Sequence, residues 1–300
     1  MLADVIREKP DMIINVGMSL RSIFLCFYAK IYSKKIIIWW GGTNLSEKNI
    51  SKFRLLYRKC ITRCINGAIL YSKYALDNIL SLNTRLNRYL ILGNNTRDSS
   101  RYHKIVYDKR NENNIYYINN TITFITVGFQ LKIKNTISVL QAYASLKLKD
   151  KTSNIRLLVV GDGPELHNLK TFCTTHHVKD VTFLGYIDPK DLPGIYACSD
   201  VFIHPSTKDR WPQTYNEAAA SGLAVLISSK AGAYDEYIRR FSDIVLFDPD
   251  ESHQIEKAME LVICNKQLRN KLKKNALEVA IKSDCITCIE MLDDFIKSFS

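Results

Sequence analysis

The chain has 300 residues, of which 46% are hydrophobic and 24% charged, a composition typical of a globular protein with about two domains. Its apolar runs, such as residues 36–40, are far too short to span a bilayer, and the N-terminus lacks a signal-peptide pattern. We therefore expect a cytoplasmic protein with reduced cysteines. Because Cys60 and Cys64 have helical spacing, as do Cys285 and Cys288, we expect them to face a core and predict no metal site.

The net charge of +12 is unevenly distributed along the chain. Residues 1–120 contain 20 Lys and Arg against 8 Asp and Glu, whereas residues 121–300 contain 22 of each class. This asymmetry predicts two domains with different partners.

Strand-like apolar runs divide the first part of the chain. They alternate with helix-length segments and cover residues 11–17, 34–42, 67–72 and 87–94. This alternation is typical of βα units with a parallel sheet.

One of the intervening segments, residues 47–64, is a basic amphipathic helix. Ile50, Phe53 and Tyr57 recur at helical spacing, and the basic residues beside them include a candidate membrane face of Lys52, Arg54, Arg58 and Lys59. The pattern has two interpretations, a surface helix with a solvated basic face, or a face for an anionic membrane or another polyanion.

A polar stretch, residues 94–114, is the predicted linker to a second set of βα units. The strands of this set are expected at residues 122–128, 155–163, 181–185, 201–206, 224–228 and 243–247. We therefore predict an α/β fold with a first domain at 1–115 and a second at 116–283. A C-terminal helix at 284–300 is expected to pack back toward the first domain.

The stretch "STKDRWPQTYNEAAASGLAVLIS" (206–228) predicts a loop, a short helix and a buried strand. Proline is favoured in the first turn of a helix and glycine just after its end, so the helix should begin near Pro212 and end before Gly222. Glu217 then lies about one turn inside the helix, within reach of a ligand at its N-terminus. The alternative is a solvated Glu217 and an unrelated loop Asp209.

A second turn motif, "VVGDGPE" (159–165), combines a strand with the glycines Gly161 and Gly163. Leu166 breaks the full dinucleotide fingerprint, so NAD binding is disfavoured. Parallel strands end at one edge of a sheet, so these loops should line one crevice with the acids of residues 206–228. Lys134, after the first strand of the second domain, can reach a phosphate there, or it is simply solvated.

Four ordered blocks carry a family resemblance: "VGFQLKIKN", "VVGDGPE", "VTFLGYIDPKDLPGIYACSDVFIHPS" and "DRWPQTYNEAAASGLAVLIS". Together they resemble the donor-binding domain of family 4 retaining glycosyltransferases, which have the GT-B architecture of two Rossmann-like domains. The resemblance covers residues 121–250 well and the first part loosely. It implies that the N-terminal domain is shortened and incomplete.

The resemblance also implies roles for individual residues. Asp209 and Glu217 match the family's pair of acids, with Glu217 on the ribose hydroxyls of a nucleotide sugar and Asp209, a catalytic candidate, on the donor sugar. Lys134 matches the lysine that offsets the charge of the leaving phosphate. The remaining donor-binding candidates are the main chain of Pro212, Gln213 and Thr214 at the pyrophosphate, Tyr186 at the nucleobase, and the turn glycines Gly161 and Gly163. No metal or other cofactor is implied.

The chain departs from the family pattern at several positions. Asp209 stands where glutamate is usual, Phe129 replaces a basic residue, and Pro212 replaces a glycine. Residues 39–44 contain no histidine where these enzymes often have one. These departures are expected to weaken phosphate binding. Because the start of the chain resembles a helix and strand from the middle of the family's first domain, we expect nucleotide binding by the second domain but poor sugar transfer by the 300-residue chain, unless a partner or an upstream segment completes the first domain.

The expected function is transfer of a hexose from a nucleotide sugar, with retention of configuration, to a lipid-linked or saccharide acceptor. The expected setting is bacterial surface-polysaccharide assembly at the inner face of the cell membrane, without nucleic acid as a partner. Two alternatives stay open at this point. One is a polyanion-binding protein that uses its basic first domain, and the other is a GT-B-type epimerase that converts a sugar nucleotide without an acceptor.

Overall fold

The computed structural model describes residues 2–93, 98–110, 118, 120–149, 154–232 and 244–299. It divides the chain into two compact units, Met1–Asn94 with Thr287–Ser300, and Asn95–Ile286. The strands are β1 (Met12–Val16), β2 (Lys35–Trp40), β3 (Gly67–Leu70), β4 (Tyr89–Ile91), β5 (Ile122–Val127), β6 (Ile155–Val160), β7 (Val181–Gly185), β8 (Val201–His204), β9 (Ala224–Ser228) and β10 (Val245–Phe247). The helices are α1 (Leu2–Glu8), α2 (Leu20–Ile31), α3 (Lys52–Cys64), α4 (Lys73–Leu82), α5 (Ser99–Arg110), α6 (Thr136–Lys147), α7 (Leu166–Thr175), α8 (Leu192–Ala197), α9 (Gln213–Ala220), α10 (Ser252–Cys264), α11 (Lys266–Lys282) and α12 (Cys285–Lys297).

The first unit is built on a parallel sheet of four strands in the order β1-β2-β3-β4. Its central strands are buried on both faces, as the continuous apolar run of Ile36, Ile37 and Ile38 requires. Ile36 and Ile38 pack with α2, α3 and α4 on one face. Ile37 packs on the other face with Cys288 and Phe299 of the C-terminal segment.

The second unit contains a parallel sheet of six strands in the order β10-β9-β8-β5-β6-β7. The chain runs outward from β5 in one direction, then returns to β8 and runs outward in the other. The strand order therefore reverses between β5 and β8, and open α/β sheets bind ligands at the carboxyl ends of such a pair.

The expected α/β class with two parallel sheets is confirmed, and each predicted strand is present within the predicted run. The predicted linker at 94–114 is wrong for residues 99–110, which form α5, while 94–97 and 111–114 lie outside the described residues. Tyr102 and Val106 occur one helical turn apart and are buried, and α5 packs on α8 and α9. Because of this packing, α5 belongs to the second unit, and the first unit ends before the predicted boundary at 115.

Two predictions for α3 are corrected by the structure. The sequence pattern placed Arg58 on an exposed basic face of α3. In the structure its side chain is buried, and its guanidinium lies 4.8 Å from the ring centre of Trp40. Cys60 and Cys64, expected in a core, are exposed. The helix is rotated so that Arg58, Ile61 and Thr62 face the interior of the first unit.

Candidate active site

An ion pair occupies the point where the strand order of the second unit reverses. Lys134 ends a short 3₁₀ turn after β5, and Asp209 lies in the loop after β8. Lys134 Nζ donates to Asp209 Oδ2 over 2.7 Å, and the two side chains are 29% and 13% exposed. Both residues proposed as catalytic from the sequence are therefore brought together, in a place where a charged ligand can still reach the lysine.

His204, the last residue of β8, adds a third group to this cluster. Its Nε2 atom lies 3.3 Å from Asp209 Oδ2, although no aligned hydrogen bond joins the two atoms. Burial lowers the pKa of His204, so the imidazole is neutral near pH 7. Burial acts to raise the pKa of Asp209, but the contacts with His204 and Lys134 outweigh it and lower that pKa to about 2. The cluster therefore holds an ionised carboxylate and a lysine beside a buried neutral histidine.

Glu217 lies inside α9, as the sequence predicts, and is buried. Its Oε2 atom accepts a hydrogen bond of 3.2 Å from the hydroxyl of Tyr196, which comes from α8. The same hydroxyl also donates to the carbonyl oxygen of Thr214 over 3.4 Å. Tyr196 thus fixes both the carboxylate and the first turn of the helix that carries it.

Helix α9 begins at Gln213 and has Pro212 as its N-cap residue. Proline offers no side-chain hydrogen bond to the first turn. Trp211 precedes it and is anchored by a bond of 3.1 Å from Nε1 to Asn216 Oδ1. Since backbone N–H groups at a helix N-terminus attract anions, the start of α9 is suited to a phosphate group.

The glycine turn after β6 packs closely on the loop after β5. A Cβ atom at Gly161 would lie 2.0 Å from the carbonyl oxygen of Gly128, and one at Gly163 would lie 2.6 Å from that of Gln130. Both glycines have positive φ angles, 115° and 148°. Gln130, buried between them, donates to the carbonyl oxygens of Gly128 and Val160. The two glycines are therefore required for the approach of two site loops.

The remaining candidates are on the surface. Tyr186, directly after β7, is 73% exposed, and Phe129 is also exposed. On α3, Lys52 and Arg54 are exposed and Lys59 is half-buried, so three of the four predicted basic residues can meet a partner.

Sequence reasoning did not identify His204, Tyr196 or Gln130 as part of the site. His204 could have been found from its position, since it ends a buried strand directly before Pro205 at the expected crevice. Tyr196 and Gln130 are recognisable only from their hydrogen bonds. Within the described ranges, no group of three or more His, Cys, Asp or Glu residues is arranged to hold a metal ion.

The family model of glycosyl transferases group 1 matches residues 108–279, which is more than half of the chain. The chain belongs to this family. The matched range contains Lys134, Asp209, Glu217 and the glycine turn. The finer assignment to a retaining family 4 enzyme goes beyond this match.

Curated relatives match over shorter ranges. An uncharacterized glycosyltransferase of Methanocaldococcus jannaschii is 30% identical over 158 residues, covering 52% of this chain and 40% of that protein. An alpha-monoglucosyldiacylglycerol synthase of Streptococcus pneumoniae is 40% identical over 95 residues, covering 31% of this chain and 21% of that protein. The chain thus spans less than half the length of these relatives.

Solved structures resemble the chain over nearly its whole length. HepE of Anabaena, crystallised with UDP, aligns with a TM-score of 0.82 at 18% identity, covering 99% of this chain and 82% of HepE. A sucrose-phosphate synthase of Thermosynechococcus elongatus aligns with a TM-score of 0.79 at 16% identity, over 99% of this chain and 75% of that one. The likeness establishes the two-domain α/β fold. In the described part of the chain, every helix is too short or too polar to cross a membrane.

Proposed function

We propose that the second unit binds a nucleotide sugar and that the protein transfers a hexose from it with retention of configuration. The observation that supports this proposal best is the Lys134–Asp209 pair at the reversal of strand order, one loop away from the start of α9. A cation, a carboxylate and a helix N-terminus at one sheet edge suit a ligand with both phosphates and hydroxyls.

Each group then has a distinct part in the proposed reaction. The N-terminal turn of α9, at Gln213 and Thr214, receives the diphosphate, and Glu217 accepts hydrogen bonds from the ribose hydroxyls. Lys134 offsets the negative charge that grows on the diphosphate as the bond to the sugar breaks. Asp209, kept ionised, accepts hydrogen bonds from hydroxyls of the departing sugar. We propose that Tyr186 contacts the nucleobase.

We further propose that Lys134 takes the place that a divalent metal ion has in other transferases, so that no metal is needed. Activity that is unchanged by EDTA would agree with this proposal. Loss of activity in EDTA and its recovery with Mg²⁺ or Mn²⁺ would contradict it.

The proposed acceptor is a lipid-linked or saccharide hydroxyl in surface-polysaccharide assembly. Two relatives, from S. pneumoniae and Acholeplasma laidlawii, are named alpha-monoglucosyldiacylglycerol synthase, and one from Arabidopsis thaliana is named sulfoquinovosyl transferase. These names favour testing a lipid acceptor alongside an oligosaccharide.

The test begins with calorimetric titration of the protein with UDP, GDP and ADP. The nucleotide that binds identifies the donor base, and its labelled sugar nucleotides are then incubated with and without acceptor extract. Transfer of label only with acceptor supports the proposal, and NMR of the product reports whether configuration is retained. Conversion of donor without acceptor would instead indicate an epimerase, and failure to bind any nucleotide would refute the proposed donor site.

A further inference from the structure

A histidine at the end of β8 has a buried polar atom with no hydrogen bond. The side chain of His204 is 4% exposed, and within the part of the chain that the structure describes its Nε2 atom has no hydrogen-bond partner. The other three residues of the strand, Val201, Phe202 and Ile203, are buried and apolar. Because an unpaired polar atom in the interior costs free energy, an apolar side chain would fit this position at lower cost. The histidine is therefore explained by a partner that it bonds in another state of the protein.

Asp209 is the partner within reach of this histidine. Its Oδ2 atom lies 3.3 Å from His204 Nε2, so the two atoms lack alignment rather than proximity. Two hydrogen-bond acceptors at this distance would repel each other, which assigns the imidazole proton to Nε2. The main chain of Asp209 is held by a hydrogen bond of 2.9 Å from Gly232 N to its carbonyl oxygen. A rotation of the two side chains is therefore enough to align the bond.

Lys134 holds the same carboxylate oxygen in this structure. Its Nζ atom is 2.7 Å from Asp209 Oδ2, and the lysine, 29% exposed, is the more accessible of the two side chains. A phosphate that enters the site attracts the ammonium group away from the carboxylate. Asp209 is 13% exposed, and burial opposes its ionisation, so the carboxylate then needs another hydrogen-bond donor. His204 is the group placed to supply it.

We propose that His204 is a positioning residue for the transfer reaction. Its Nε2–H group bonds to Asp209 Oδ2 when Lys134 turns to the phosphate of the donor, and this bond keeps the carboxylate ionised and in place for the hydroxyls of the donor sugar. The role of His204 rests on the proposed function of Lys134 and Asp209, and the histidine acts through the carboxylate without touching the substrate. Its contribution to stability should therefore grow when the lysine is withdrawn, whereas a histidine that only fills the core contributes equally in both cases.

The first test withdraws the lysine without any ligand. The melting temperatures of wild type, His204→Met, Lys134→Met and the double variant form a cycle that isolates the coupling between the two residues. Methionine removes the polar group at each position and keeps a side chain of similar size. We expect His204→Met to lower the melting temperature by roughly 2 to 4 °C more in the Lys134→Met protein than in wild type. His204→Gln, which keeps an N–H donor, should recover most of this additional loss.

An exposed histidine provides the matched control. His253 Nδ1 lies 3.3 Å from Glu251 Oε2, the same separation as in the contact between His204 and Asp209, but its side chain is 60% exposed. His253→Met should change the melting temperature equally with and without Lys134. The role of His204 is overturned if His204→Met is also additive with Lys134→Met, or if His204→Gln is no better than His204→Met in the Lys134→Met protein.

The second test uses sugar donors of the nucleotide that the wild type binds. The transfer rate at saturating donor should fall about tenfold or more in His204→Met and be largely retained in His204→Gln, because a hydrogen bond to a charged group is lost only in the first. The affinity for the nucleotide without its sugar should change by less than about twofold, since Asp209 contacts only the sugar in the proposed site. An equal fall in nucleotide affinity and in rate would indicate a structural role and overturn the proposal. Failure of the wild type to bind any nucleotide would instead refute the donor site itself, and with it the donor-bound role of His204, even where the melting temperatures show coupling.

Discussion

Replacing Asp209 with asparagine should destabilise the protein in a pH-dependent way. The substitution keeps the size of the side chain but removes a charge that lies 2.7 Å from Lys134 Nζ and 3.3 Å from His204 Nε2. Burial opposes ionisation of Asp209, but the neighbouring groups outweigh it and hold the pKa at about 2, below the ordinary 3.8. Folding therefore favours the ionised form.

The size and pH range of the effect follow from this pKa. A carboxylate whose pKa is lower in the folded chain stabilises the fold above its unfolded pKa, and that stability is lost as pH falls toward the folded pKa. Because the pKa falls from 3.8 in the unfolded chain to about 2 in the folded one, the ionised Asp209 contributes about 2 kcal/mol to the free energy of unfolding. We expect Asp209→Asn to lose about this amount at pH 5 to 7, and the difference from wild type to shrink between pH 4 and 2.

The assay is urea unfolding of both proteins at several pH values between 7 and 2.5, followed by circular dichroism. Asp180→Asn is the matched control, since Asp180 pairs with Lys147 over 2.6 Å but its side chain is 57% exposed. An exposed pair contributes about 1 kcal/mol or less. Equal losses in the two variants at pH 7, or an Asp209→Asn deficit that persists undiminished at pH 2.5, would refute the reasoning.

Four further substitutions test other parts of the molecule. Glu217→Gln should weaken nucleotide binding by about 1.5 to 3 kcal/mol in calorimetry, because a charged hydrogen-bond acceptor is lost, and unchanged affinity in the folded variant would exclude Glu217 as the ribose contact. Lys134→Met should lower the transfer rate at saturating donor by about 10² to 10³, and a rate near wild type would remove the lysine from the mechanism. Arg58→Ala should cost about 3 to 5 kcal/mol in unfolding experiments because it removes the guanidinium that neutralises the buried carboxylate of Glu47, whereas the exposed Arg54→Ala should change stability by about 0.5 kcal/mol or less. Similar effects of these two arginine variants would contradict the burial of Arg58. Gly163→Ala forces a side chain into a backbone conformation with φ of 148° and should destabilise the protein by about 1 to 3 kcal/mol, measured as a lower melting temperature.

The strands and the glycine turns were predictable because their signals are local. A buried parallel strand needs a continuous apolar run, and a helix start or end needs particular residues at particular positions. Each strand therefore occurs inside its predicted run, and α9 begins directly after Pro212 and ends before Gly222. The position of Asp209 and Lys134 at one sheet edge also follows from strand direction alone.

The choice of which side of a helix is buried required the tertiary structure. Helix α3 has two apolar sides, one with Phe53 and Leu56 and the other with Ile61, and spacing alone cannot select between them. The end of β2 and the loop after it decided it, because Trp40 and Glu47 provide an aromatic ring and a carboxylate that make Arg58 a buried residue.

Contacts between distant parts of the chain also explain why the sequence did not reveal the role of His204 or the helix α5. Local sequence reports the chemistry of a residue but not the partner that the rest of the chain places beside it. From the sequence, His204 is an ordinary residue of a buried strand. Only the folded loop after β8 brings Asp209 close to its ring. Residues 99–110 form a helix that packs on α8 and α9 and buries Tyr102 and Val106. The sequence by itself determined the strands and the glycine turns, and only the packing between distant segments decided that residues 99–110 form a helix, which polar groups meet and which are buried.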